Sequence, residues 1–101
     1  MTLTIRRTAE FDRWMIGLND DRAIARIETR LTRLGQGNPG DVEPIGSGLL
    51  ELRIAYGPGY RVYFGQRGKH VVVLLIGGDK RTQNRDIAQA KRLWANWQEE
   101  N

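Results

Sequence analysis

The stretch Leu49 to Arg81, LLELRIAYGPGYRVYFGQRGKHVVVLLIGGDKR, constrains this chain more than any other. It reads as three consecutive strands joined by short glycine turns. Leu50, Leu52 and Ile54 alternate with Glu51 and Arg53. After the turn at Gly57, Pro58 and Gly59, Val62 and Phe64 alternate with Arg61 and Tyr63. A side-chain period of two ties register to face, so pairings can be tested against the pattern. Pairing Ala55 with Gly59 sets Leu52 opposite Val62, Leu50 opposite Phe64 and Arg53 opposite Arg61. Two facing arginines are unfavourable unless an anion lies between them, and Glu51, one pair along beside Tyr63, or a phosphate are the candidates. The third run, His70 to Gly77, is apolar on both sides (Val71, Val73, Leu75 and Val72, Leu74, Ile76) and reads as a central strand. The alternation predicts one face of the hairpin in the core and the other as a charged surface.

The flanking segments read as helices. Thr2 to Arg7 is a short half-buried strand with Leu3 and Ile5 on one side. Thr8 caps a helix whose apolar face is Phe11, Trp14, Met15 and Leu18. Asn19, Asp20 and Asp21 end it and cap a second helix. That helix carries an apolar stripe of Ile24, Ile27, Leu31 and Leu34, an arginine row of Arg22, Arg26, Arg30 and Arg33, and a stop at Gly35. Residues 36–48 are loop-like, with at most a brief extended piece at Val42 to Ile45. Gly77 and Gly78 read as a flexible pair, with Asp79, Lys80 and Arg81 at once behind them. Thr82 or Asn84 caps a last helix with Ile87, Ala90, Leu93, Trp94 and Trp97 on its apolar side and Arg85, Lys91 and Arg92 on its basic one. The expected fold class is α+β, a single domain over residues 1–101.

Charge distribution narrows the partners. The chain has a formal net charge of +4. Residues 53–92 hold nine Arg or Lys against two acids, whereas the first 52 residues hold seven bases and eight acids. A basic surface dominated by arginine suits phosphate, most simply nucleic acid, although solubility alone explains such a surface equally well. There is no cysteine and a single histidine, His70, so no disulfide, thiolate metal site or paired-imidazole mechanism can be built. No metal cluster and no phosphate-loop or dinucleotide fingerprint appears, and no cofactor is expected. The longest apolar run, Val71 to Ile76, is too short to cross a bilayer, and the N-terminal stretch lacks a signal-peptide core, so a cytoplasmic protein without membrane partners is expected.

What converges is basic: Arg53 and Arg61 on one sheet face, Lys80 and Arg81 at the end of the central strand. Tyr56, Tyr60 and Tyr63 lie close by in sequence, and Arg85 is on the basic side of the last helix. Aromatic rings beside arginines suit unpaired RNA, and they equally suit tyrosines packing a hairpin edge beside solvated arginines.

The runs LLELRIAYGPGYRVYF and VVVLLIGGDKRTQNRDIAQAKRLW resemble the HigB-like branch of the RelE/ParE toxin superfamily, the addiction-module killer proteins, and the resemblance covers nearly the whole chain. It implies a RelE-like fold: an N-terminal strand and helical hairpin, a mainly antiparallel sheet and a C-terminal helix. It implies the toxin of a type II toxin-antitoxin system, a ribosome-dependent mRNA endoribonuclease that inhibits translation. Its partners would be a cognate antitoxin of the HigA-like helix-turn-helix kind, the ribosome and mRNA. Arg61, Lys80 and Arg53 then match catalytic positions; Arg81, Tyr56, Tyr60, Tyr63 and Arg85 would contact RNA; and Asp79 is the candidate general base. The chain departs from the pattern near its C-terminus, where RelE-type enzymes often carry a tyrosine or histidine and Trp94 and Trp97 stand here. The same superfamily contains non-enzymatic ParE-like poisons of DNA gyrase, and a toxin fold retained only as a co-repressor is the third reading.

Overall fold

The computed structural model describes residues 2–100. The chain runs β1 (Thr4–Arg7), α1 (Ala9–Ile16), α2 (Asp21–Gly35), β2 (Val42–Gly46), β3 (Leu49–Ile54), β4 (Tyr60–Arg67), β5 (Val71–Gly78), a single 3-10 turn (Lys80–Thr82) and α3 (Gln83–Glu100). The five strands form one sheet in the order β1-β5-β4-β3-β2, in which only β1 and β5 pair in parallel. The expected α+β architecture and mainly antiparallel sheet are therefore present. No helix among the described residues is long and apolar enough to cross a membrane.

Local chemistry explains most of the boundaries. The Thr8 hydroxyl accepts from the Phe11 amide at 3.0 Å and donates to the Leu75 carbonyl at 2.6 Å, so one residue caps α1 and pins it to β5. Asp20 Oδ1 accepts from the Arg22 and Ala23 amides at 3.0 and 3.1 Å and starts α2. α2 ends at Gly35, the stop that the sequence suggested, and closes with the Gly37 amide on the Leu34 carbonyl and the Asn38 amide on the Arg33 carbonyl, both at 2.9 Å. Gly37, at φ 86°, supplies the left-handed residue that this closure requires. Residues 42–46 form a true edge strand on β3, where Pro44 is tolerated because the outer side needs no donor.

The β3–β4 register is the one the alternation predicts: Leu52 faces Val62, Leu50 faces Phe64, Glu51 faces Tyr63 and Arg53 faces Arg61. The sheet is covered on both sides. The α1–α2 hairpin seals one face around Phe11, Ile27, Leu31, Leu52, Val62, Phe64 and Leu74. α3 seals the other around Leu49, Tyr63, Val73, Leu75, Ala90 and Trp94. Trp94 lies flat over Gly65, where a Cβ would come within 2.7 Å of the indole, and it stacks on Trp97 at 5.6 Å between ring centroids. The second face of the hairpin is thus not the open charged surface that the alternation suggested. Glu51 and Tyr63 are 2 % and 0 % exposed beneath α3. A strand's period separates two faces but does not say which of them a distant helix will cover.

Candidate functional site

Register aligns three positions across the sheet: Arg53 on β3, Arg61 on β4 and Gly78 at the end of β5. The chain turns there. Asp79 Oδ1 accepts from the Arg81 amide at 2.8 Å, the Thr82 hydroxyl accepts from the Asp79 amide at 3.3 Å, and α3 follows directly. Asp79 thus caps the 3-10 turn that leads into α3, with Thr82 closing the reciprocal bond.

The two glycines at this corner are not a hinge. They are flat spots on opposite faces of β5. A Cβ on Gly77 would lie 2.2 Å from the indole of Trp14, and one on Gly78 would lie 1.8 Å from Asp86 Oδ2. Asp86 is buried and bonded to the Thr82 hydroxyl.

The facing arginines are neutralised separately. Arg53 turns toward the edge and pairs with Asp41 at 3.1 Å and Glu43 at 3.3 Å. Arg61 turns under the start of α3, its side chain 12 % exposed, with Nε 4.0 Å from Glu51 Oε2. The same Glu51 oxygen accepts from Gln83 Nε2 at 2.8 Å. Glu51 therefore pairs with one arginine and not both, because Glu43 of β2 and Asp41 just before it supply Arg53 with carboxylates of its own. Arg61 Nε and the Tyr63 hydroxyl find no hydrogen-bond partner among the described residues. Burial, reinforced by the Glu51 charge, raises the Tyr63 phenol well above its ordinary pKa.

The three tyrosines do not form one platform. Tyr63 is sealed under α3. Tyr56 and Tyr60 belong to the hairpin face: Tyr60 packs edge-on against Trp14 at 6.3 Å, and Tyr56 lies under the Arg26 guanidinium at 4.7 Å while its hydroxyl donates to Asp20 at 3.4 Å. Burial, then the charges of Asp20 and Asp79, raise the Tyr60 phenol.

Asp79 is engaged as cap and ion pair, with Arg81 Nη2 at 3.1 Å from its Oδ2. The Arg81 hydrogen bond holds its carboxyl below the ordinary range, which weakens it as a proton acceptor. Lys80 and Arg81 are exposed, and Lys80 Cβ lies 3.5 Å from where Gly59 would carry its own, against the β3–β4 turn. Arg85 is exposed, 3.6 Å from Asp86. An open groove of about 360 Å³ runs along this corner, lined by Lys80, Arg81, Thr82, Gln83, Asn84 and Arg85.

The corner thus gathers Arg61, Lys80, Arg81 and Arg85 around a polar floor of Glu51, Gln83 and Asp86, while Arg53 stands one strand away in its own ion pair. Gln83 and Asp86 were not singled out from the sequence. Asp86 carried a signal, since it shares the helical stripe of Ala90 and Trp94, and an acid within an apolar stripe marks a buried polar contact. Such a site offers cations and amide donors to an anion. Among the described residues, no group of three or more His, Cys, Asp or Glu comes together to hold a metal ion.

No family model matches the chain. An uncharacterized protein of Haemophilus influenzae is 48 % identical over 93 residues, covering 92 % of this chain and 94 % of the relative. Among solved structures, a chain from the crystal structure of the toxin-antitoxin complex RelBE2 of Mycobacterium tuberculosis superimposes with a TM-score of 0.62 at 22 % identity, covering 79 % of this chain and 100 % of that one. The superposition identifies a RelE-like fold, and at 48 % identity over nearly its whole length the chain belongs to the same protein family as the Haemophilus influenzae relative.

Proposed function

We propose that this protein is the toxin of a type II toxin-antitoxin system, of the HigB-like kind. It acts in the cytoplasm as a ribosome-dependent mRNA endoribonuclease and is neutralised by a cognate antitoxin resembling the HigA helix-turn-helix proteins. The observation that carries the reading is the β5–α3 corner: Arg61 is held at the edge of a buried polar floor, with Lys80 directly beyond it, in a chain of RelE-like fold.

The chemistry is attack of an RNA 2′-oxygen on the adjacent phosphorus. The bond from phosphorus to the 5′-oxygen breaks, the 2′-hydroxyl proton goes to a base, and the leaving oxygen takes a proton. In this reading Arg61 stabilises the charge of the phosphorane and Lys80 protonates the leaving oxygen. Arg81 and Arg85 contact flanking phosphates. The binding role assigned to Tyr56 and Tyr60 rests on their outer edges, whereas Tyr63 acts beneath the surface. With Asp79 tied to Arg81, the ribosome's in-line placement of the mRNA carries much of the rate.

Primer extension on cellular mRNA after brief induction tests this reading. In-frame cuts within translated regions are expected for the wild type and strongly reduced for Lys80→Ala, an exposed position at which truncation is expected to leave the melting temperature unchanged. Intact mRNA in growth-arrested cells overturns the nuclease.

One observation favours a second reading. Arg53 is neutralised by Asp41 and Glu43, Arg61 by Glu51 and Asp79 by Arg81, so three of the expected catalytic groups are occupied. A ParE-like gyrase poison needs no general base, and growth arrest with induced DNA damage and uncut mRNA would identify it.

A further inference from the structure

Most of the arginines outside α2 find a carboxylate nearby. Arg7 pairs with Glu28, Arg53 with Asp41 and Glu43, Arg61 with Glu51, and Arg81 with Asp79. The row along α2 is different. Arg22, Arg26, Arg30 and Arg33 project from one side of the helix, and among the described residues no carboxylate pairs with any of them. Arg30 is structural: its guanidinium donates to the carbonyls of Arg53, Pro39 and Asp41 at 2.5, 3.0 and 3.2 Å, which ties the following loop to the helix. The other three are exposed. They border a groove of about 560 Å³ between α2 and the end of β3, whose apolar lining is Ala25, Ile54 and Ala55.

The groove combines a line of cations that no carboxylate neutralises with small apolar residues. Positions four apart on a helix rise by about 6 Å, so Arg22 and Arg26 match carboxylates placed one turn apart on a second helix. Unpaired RNA fits less well. The aromatic face nearest the row, that of Tyr56, is already covered by Arg26 at 4.7 Å, so no ring is offered for a base to stack on. Small apolar residues instead suit the apolar side of a peptide. We propose that this groove docks an acidic amphipathic helical segment of a protein partner, with Arg22, Arg26 and Arg33 reading its carboxylates and Ala25, Ile54 and Ala55 its apolar side. The surface is distinct from the β5–α3 corner, and the inference does not depend on nuclease chemistry there.

Fluorescence anisotropy with the full chain tests it, using a labelled synthetic helical peptide with glutamates one turn apart and leucines on the opposite side. Its controls are the same peptide with glutamine for glutamate, and single-stranded oligouridylate. The wild type is expected to bind the glutamate peptide with a salt-sensitive affinity about tenfold or more above that for the glutamine peptide. The triple variant Arg22→Glu, Arg26→Glu, Arg33→Glu should lose that binding at an unchanged melting temperature. Amide shifts of wild-type α2 and Ala55 on peptide addition give a readout that needs no variant. Equal binding of both peptides, or binding of oligouridylate alone through these arginines, overturns the proposal, as does no binding of any probe. Cleavage or growth arrest is scored separately: an inert chain that binds the peptide sinks the toxin reading alone, and a toxic chain that ignores it sinks the groove alone.

Discussion

Gly78 and Asp86 share one space on the α3 face of the sheet, since a Cβ at Gly78 would fall 1.8 Å from the Asp86 carboxylate. Asp86 is buried and bonded by the Thr82 hydroxyl, so it cannot move aside without leaving a buried group unsatisfied. Gly78→Ala is expected to destabilise the fold by about 3 kcal/mol in urea denaturation, the overpacking and the broken hydrogen bond acting together. Combining it with Asp86→Ala should cost less than the sum of the two single changes, because removal of the carboxylate makes room for the methyl group. Strict additivity would show that the two do not collide.

Glu51 in the polar floor of the corner pairs with Arg61 at its edge, both largely withdrawn from water. Removing one partner leaves the other charge without compensation. Glu51→Ala is therefore expected to cost about 3 kcal/mol or more, a larger loss than at a surface ion pair. For the same reason Arg61→Ala mixes lost stability with lost function. Arg61→Lys keeps the charge but not the planar fork, and it is expected to reduce cleavage with little change in melting temperature. Wild-type cleavage by Arg61→Lys would remove this residue from the proposed chemistry.

The Tyr63 phenol is buried without a hydrogen-bond partner, and its pKa is raised. An acid whose folded pKa exceeds its unfolded value stays protonated in the fold while the unfolded chain ionises. Its contribution is intact below about pH 10 and declines as pH climbs above that value. Tyr63→Phe should change stability by less than about 1 kcal/mol at neutral pH and flatten the alkaline decline. Parallel wild-type and variant curves above that pH would show that Tyr63 does not cause it.

The Asp79 carboxyl has a lowered pKa, chiefly through its hydrogen bond from Arg81. Its contribution is present above the unfolded carboxylate value, about pH 4, and is lost as pH falls through the folded value. Arg81→Ala should move the Asp79 titration upward by NMR and make stability less sensitive to acid. An unmoved titration would assign the shift to the backbone cap instead.

Arg53 is held by Asp41 and Glu43. If the corner binds RNA, Asp41→Asn with Glu43→Gln frees this guanidinium, and affinity for a short oligoribonucleotide should rise with a steeper salt dependence. Unchanged affinity would leave Arg53 outside the RNA path.

Legibility followed the range of the interactions. The pairing of Arg53 with Arg61 was readable because a period of two and one short turn leave a single register that keeps Leu52 and Val62 on one face. The Thr8 and Asp20 caps were readable because a cap is satisfied within three residues. Strand β2 was barely visible, since its ladder is to residues later in the chain and its own sequence contains Pro44.

The sequence alone therefore determined the helices, the strands other than β2, the hairpin register and the clustering of Arg61, Lys80 and Arg81 near one strand end. Those features depend on side-chain period and on neighbours a few residues away. Only the tertiary structure decided that α3 lies over Glu51 and Tyr63, that Asp86 fills the space above Gly78, and that Asp41 and Glu43 reach Arg53. Those outcomes depend on which distant surface covers which face, and a charged group becomes buried floor or exposed contact only when that cover is in place.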